Sequence, residues 1–240
     1  SPLRVMCKIG ALDNSGGSEN MLDGSAVTLA HELAIQKYDS ALGGICIHWD
    51  NRDNSKAIAE TIGRMQDLDD GELRIGLSGI RNPKCYVTAA PDLNERWWIQ
   101  VKDNIQTREA YDSYATHLAN AHYIAYGINM GGVKSSQTKT YDSSLSLRGL
   151  SEPNIAAKLR SRLANLDRAG EVFPRDLADL ALIRVLCSPR LNGCIVGPRN
   201  PDQLKASLAC WEWARSASTE TLKPTKLLLD KVQTENSVTL

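Results

Sequence analysis

Short apolar runs, each bounded by polar or glycine-containing stretches, recur along the chain at 3–10, 41–49, 72–80, 96–104, 122–128 and 192–198. Each is too short for a buried helix, and several are rich in Ile and Val, which fits strands buried on both faces. Between them lie segments with helical periodicity at about 25–39, 53–67, 106–120, 153–169, 174–187 and 201–215. In the 174–187 segment, Leu177, Leu180, Ala181, Ile183, Arg184 and Leu186 divide into one apolar and one polar face. Pro174 precedes that helix, and Pro201 sits at the first turn of the next, where a missing N–H is harmless.

Strands alternating with helices imply βαβ units and a parallel sheet, either open and doubly wound or closed into a barrel. No G-x-G-x-x-G follows any strand, which weakens the open dinucleotide-binding sheet. A barrel places function on the loops after strand C-termini. Those ends carry the unusual polar residues: Lys8, His48, Ser78, Gln100 with Asn104, Tyr126 with Asn129, and Arg199 with Asn200. Polar groups at the same end of six strands are expected to converge on one mouth. The Ser-, Gly- and Thr-rich stretch 129–152 exceeds the usual loop length and is expected to be a lid or disordered. The expected organisation is one barrel domain over 1–215 and a tail over 216–240 that packs outside or is mobile.

Composition narrows the function classes. The 240 residues include 28 Lys+Arg and 28 Asp+Glu, with 42% hydrophobic residues, so disorder, collagen and a coiled-coil rod are excluded. Zero net charge, with no basic run, gives no electrostatic reason to bind nucleic acid or an anionic membrane. The six cysteines are far apart, with no C-x-x-C pair and no histidine at metal-ligand spacing. They read as reduced thiols of a cytoplasmic protein without a metal site. No stretch approaches the roughly 20 apolar residues of a membrane span. Ser1-Pro2-Leu3-Arg4 shows no signal-peptide pattern, so the chain is expected to begin downstream of something removed or not included.

Six pieces in chain order, CKIG, IHWDN, GELRIGLSGI, WIQVKDNI, YIAYGINMGG and CIVGPRNPDQLKASL, together resemble the aldo-keto reductase family over about residues 3–215. The resemblance implies an α/β fold of the TIM (β/α)8 type that binds NADP(H) and reduces aldehydes or ketones by hydride transfer. It aligns the six strands with the third to eighth of the family's barrel. The barrel is then incomplete at the N-terminus, lacking two βα units of roughly 60–80 residues. Those units carry the family's catalytic Asp and Tyr.

By this resemblance Lys8 matches the catalytic lysine, and its place at the end of an apolar strand calls for a carboxylate or ligand partner. His48 matches the histidine that hydrogen-bonds the substrate carbonyl. Ser78 and Gln100 match the residues that hold the nicotinamide carboxamide, although Gly79 stands where the family commonly has Asn. Tyr126 matches the ring that stacks on nicotinamide, and Gly127 and Asn129 continue that cofactor-binding segment. The run Gly197, Pro198, Arg199, Asn200, Pro201, Asp202, Gln203 reads physically as a turn into a helix start, with free backbone N–H groups suited to a phosphate. There the resemblance assigns Arg199 to the adenosine 2′-phosphate and Gln203 to the adenosine face. Trp49, Met130 and Tyr141 are candidates for a substrate pocket.

Two functions follow as expectations. One is an NADP(H)-dependent oxidoreductase acting on a small carbonyl or alcohol. The other is a nucleotide-binding or scaffold protein without chemistry, in which a homo-oligomer or partner chain covers the incomplete barrel.

Overall fold

A computed structural model of the chain describes residues 3–10, 22–68, 73–91, 97–108, 114–133, 144–168 and 170–237. In order these form β1 (Val5–Ile9), α1 (Gly24–Tyr38), a 3-10 turn (Asp39–Ala41), β2 (Leu42–His48), α2 (Ser55–Asp67) and β3 (Arg74–Ser78). There follow α3 (Pro83–Ala89), β4 (Trp98–Lys102), β5 (His122–Tyr126), α4 (Ser144–Leu147) and α5 (Ile155–Ala164). The chain ends with α6 (Leu177–Cys187), β6 (Gly193–Cys194), α7 (Pro201–Ser216) and α8 (Thr219–Ser237). The six strands form one sheet in chain order, and the pairs β1/β2, β2/β3, β3/β4 and β5/β6 are parallel, as alternation with helices requires.

The chain divides into two compact units, the first comprising Ser1–Val101 and Glu109–Tyr123, the second Lys102–Arg108 and Ile124–Leu240. In the first, Ile45, Ile47, Ile75, Leu77 and Ile99 are buried on the strands. The helix α2 buries Ile58, Thr61, Ile62 and Met65, spaced i, i+3, i+4, i+7 on one face. Fully burying each of its aliphatic side chains contributes about 1.5–3 kcal/mol. Side-chain caps fix where these helices start. Asp23 accepts from Ala26 N at 2.9 Å, and Asn54 accepts from Lys56 N and Ala57 N. In the second unit, Ile155, Ala156, Leu159 and Leu163 of α5 share a core with Leu228, Leu229 and Val232 of α8.

Local expectations are refined at several places. Of the helix expected at 106–120, 106–108 form a loop, Tyr114 is helical with Leu118 N donating to its carbonyl, and 109–113 lie outside the described residues. Asn104 shapes the loop: its side chain accepts from Gln106 N and Thr107 N, while its own N–H donates to Thr107 O at 2.8 Å. That closes a tight turn, and Asp103 bridges to Arg108. The strand expected over 192–198 is reduced to Gly193–Cys194, since only one further rung, Ile195 N to Ala125 O at 2.7 Å, continues it and Pro198 has no N–H to donate. The helix α3 was not foreseen. Its seven residues are too few for a clear period, though Pro83 marks its first turn. Of the expected lid, 144–147 form α4, whereas 134–143, with Tyr141, lie outside the described residues.

Candidate active site and nucleotide cleft

Strand register places four of the nominated residues on one face of the first unit's sheet. Lys8 pairs with Cys46, and His48 pairs with Ser78, which pairs with Gln100. Because side chains alternate with period two, Cys46 and His48 point the same way, and the neighbours in register share that face. Lys8 Nζ donates to Ser78 Oγ at 3.3 Å. The lysine is exposed, so its charge does not require the carboxylate or ligand partner expected from sequence, and no carboxylate lies within ion-pair distance among the described residues. Ser78 is buried, as is Gln100. The Gln100 amide Nε2 reaches Met6 Sδ at 3.5 Å, but its buried Oε1 has no hydrogen-bond partner.

His48 is half-buried, and its imidazole is held below the ordinary histidine range, first by burial and then by the Lys8 charge. It is therefore neutral at neutral pH and able to donate one hydrogen bond. Burial pushes the Cys46 thiol up to about 12, so this nearby cysteine stays protonated and is no nucleophile.

The residue after His48 has an unusual backbone. Trp49 sits at φ 59°, its N–H donating to Ser78 O at 2.9 Å, and its ring centroid lies 5.1 Å from that of His48. A Cβ on Gly79 would come within 2.6 Å of the Trp49 indole, and Gly79 itself has φ +66°. Glycine at 79 is thus required twice, by its backbone and by the ring packed against it. The space a side chain at 79 would use is occupied by indole.

The turn that presents Trp49 is pinned by a network that sequence reading missed. Asp50 is buried and takes Arg52 in a two-pronged pair, Nε to Oδ1 and Nη2 to Oδ2, both 2.9 Å. It also accepts from Arg52 N and from the Tyr86 hydroxyl. The guanidinium goes on to Thr61 Oγ1 at 3.0 Å. Burial pushes the Asp50 carboxyl up, but the Arg52 and Tyr86 hydrogen bonds outweigh it and hold the group below the ordinary carboxylate range. The sequence signal was the D-x-R triplet directly after His48 and Trp49.

The second unit holds a cleft of about 610 Å³. Its lining includes Tyr126, Gly127, Asn129, Gly197, Arg199 and Gln203, all nominated from sequence, with Arg175 as an addition. Asn200 is not part of the lining. It is the N-cap of α7, its Oδ1 accepting from Gln203 N at 2.9 Å. Gln203 reaches back to accept from Arg199 N at 2.8 Å, so two backbone N–H groups expected to be free at this helix start are already paired. The Arg199 side chain is exposed, with no ion pair to any described residue. Arg175, also in the lining, is engaged twice by the buried Asp179, at 2.9 and 3.1 Å.

Among the described residues, no cluster of three His, Cys, Asp or Glu could hold a metal, and no helix is long and apolar enough to cross a membrane. All six cysteines are free.

The fold defines an α/β protein with a six-stranded parallel sheet that resembles part of a TIM barrel. No protein-family model matches the chain, and no curated protein sequence matches it. Among solved structures it is similar to the aldo-keto reductase AKR11C1 from Bacillus halodurans. The holo form of that protein matches with TM-score 0.63 and 18% identity over 94% of this chain and 71% of the other. The apo form gives 0.58 and 18% over 85% and 68%. MGS-M4, an aldo-keto reductase from a Medee basin deep-sea metagenome library, gives 0.55 and 13% over 94% and 70%. The likeness spans most of this chain, and at such identity it is a likeness of fold.

Proposed function

We propose that the chain binds NADP(H) in the cleft of its second unit and serves an aldo-keto-reductase-type oxidoreductase acting on an aldehyde or ketone, or on the corresponding alcohol. The observation that carries this reading is that six residues nominated from sequence line one cleft, whose volume lies in the usual range for small-molecule sites. The residues present fit the cofactor in two further respects. The Arg199 guanidinium has no ion pair among the described residues and suits a 2′-phosphate, and in the first unit the orphaned Gln100 Oε1 suits an amide donor.

Bound NADPH supplies a hydride. The chain's own residues orient and polarise. In the second unit, Tyr126 offers its ring to the nicotinamide, and Gly127, Asn129 and Gly197 let the backbone approach the phosphates. In the first unit, neutral His48 is able to donate a hydrogen bond to a carbonyl oxygen. The free cysteines support a cytoplasmic setting.

A second reading, nucleotide binding without turnover, is favoured by one observation: among the described residues Lys8 is paired with Ser78 alone, so neither acid nor tyrosine stands beside it. A fluorescence titration with NADPH and NADH, followed by a carbonyl panel, tests both readings. NADPH affinity in the micromolar range is expected, with Arg199→Ala weakening it at least tenfold, about 1.4 kcal/mol, while NADH changes little. Absence of NADPH binding, or equal weakening of the two nucleotides, overturns the assignment. Binding without NADPH consumption selects the second reading.

A further inference from the structure

Within the second unit, the end of β4 grips the end of β5. Asp103 N donates to Tyr126 O at 3.2 Å, and Asn104 Nδ2 donates to Gly127 O, also at 3.2 Å. From Gly127 onward the chain turns back on itself: Met130 N donates to Gly127 O, and Gly132 N and Val133 N both donate to Asn129 O. This 127–133 loop forms one wall of the cleft.

The side chain of Asp103 is 1% exposed and pairs with Arg184 of α6, Oδ1 to Nη2 at 2.5 Å. Three atoms in this region are buried without any hydrogen-bond partner: Asp103 Oδ2, Arg184 Nη1 and Asn129 Oδ1. Unsatisfied buried polar atoms are uncommon, and each calls for an unseen partner. A small cavity of about 20 Å³ lies here, and among its otherwise apolar lining the two polar side chains are Asn129 and Arg184. Its size admits one water, and the unpaired donor on Arg184 and unpaired acceptor on Asn129 are the two partners such a water needs.

We propose that Asp103, Asn104 and Arg184 are positioning residues for the 127–133 loop, and that the cavity holds one water accepting from Arg184 Nη1 and donating to Asn129 Oδ1. The ion pair then acts on the loop at two points, through the Asp103–Asn104 backbone at its start and through the water at Asn129. Burial raises the Asp103 carboxyl above its ordinary range, and the Arg184 charge and hydrogen bond oppose that rise without reversing it. The consequence for nucleotide binding rests on the proposed function above, whereas the loop's order does not.

The test is hydrogen–deuterium exchange on the full chain in two variants. Arg184→Met removes both the ion pair and the water's donor, and Asn129→Leu removes only the water's acceptor. In each, the amides of Gly132 and Val133 are expected to exchange at least tenfold faster, while those of β1 to β3 are unchanged. Arg184→Lys, which retains a charge for Asp103, is expected to recover part of the protection. Unchanged loop amides in Asn129→Leu overturn the water bridge, and they do so even if Arg184→Met fails to fold. Acceleration spread evenly over the whole chain also overturns the proposal, because a merely structural ion pair would act that way. NADPH titration of the same variants is the second readout. If wild-type chain binds no NADPH, the nucleotide reading fails and the exchange result still decides this one.

Discussion

Replacing Arg52 by Met isolates the worth of the network behind Trp49. The guanidinium makes two charge-assisted bonds to Asp50 and further bonds to Thr61 Oγ1 and Ala57 O. The Asp50 side chain is fully buried, so the variant leaves a carboxylate with only the Arg52 backbone N–H and the Tyr86 hydroxyl. Breaking a buried pair by removing one partner costs about 3–5 kcal/mol. The Arg52 side chain is 22% exposed, and solvent screening moves the expected loss to the lower end, about 3 kcal/mol. For a chain of this size that lowers Tm by roughly 6–12 °C. Thermal and urea unfolding of wild type and Arg52→Met measure it. The pH dependence gives a second handle. Asp50 has its folded-state carboxyl held below the unfolded value of about 3.9. Its contribution is therefore present above that pH and lost as pH falls through the folded value. Acidification below about pH 4 should erode the difference between the two proteins. A loss under about 1 kcal/mol at pH 7, or a difference that persists unchanged into strong acid, would refute the account, since a buried pair cannot be worth so little while holding its acid ionised.

Two further predictions concern the walls of the sites. Gly79→Ala combines a disfavoured positive φ with a Cβ 2.6 Å from the Trp49 ring. It should cost more than about 1 kcal/mol and shift the near-UV circular dichroism of the indole; an unchanged spectrum would show that Trp49 does not rest there. Asn200→Ala removes the N-cap of α7 at the cleft and should cost about 1 kcal/mol, measured by urea unfolding. A neutral result would mean that Gln203 alone suffices to start the helix.

Much of the fold was legible because its signals are local. The spacing of Ile58, Ile62 and Met65 announces a helix face, and the Asn54 and Asn200 caps stand directly before their helices. The start of the 106–120 segment misled for the opposite reason: the side chain of Asn104 caps the very N–H groups a helix N-cap would, but in a closed loop. Of the polar strand ends nominated from sequence, register places Lys8, His48, Ser78 and Gln100 on one face of the first unit's sheet, and the cleft of the second unit gathers Tyr126, Asn129 and Arg199.

By itself the sequence determined the alternation of strands and helices, the parallel sheet that follows from it, and the residue types at the strand ends, because propensity, capping and periodicity act over a few residues. The tertiary structure alone decided how those side chains are used. It gave Lys8 a serine hydroxyl rather than a carboxylate, filled the space at Gly79 with the Trp49 indole, and joined Asp103 to Arg184 across 81 positions. Partner choice for a buried charge is set by which groups the fold desolvates together, and no local pattern carries that information.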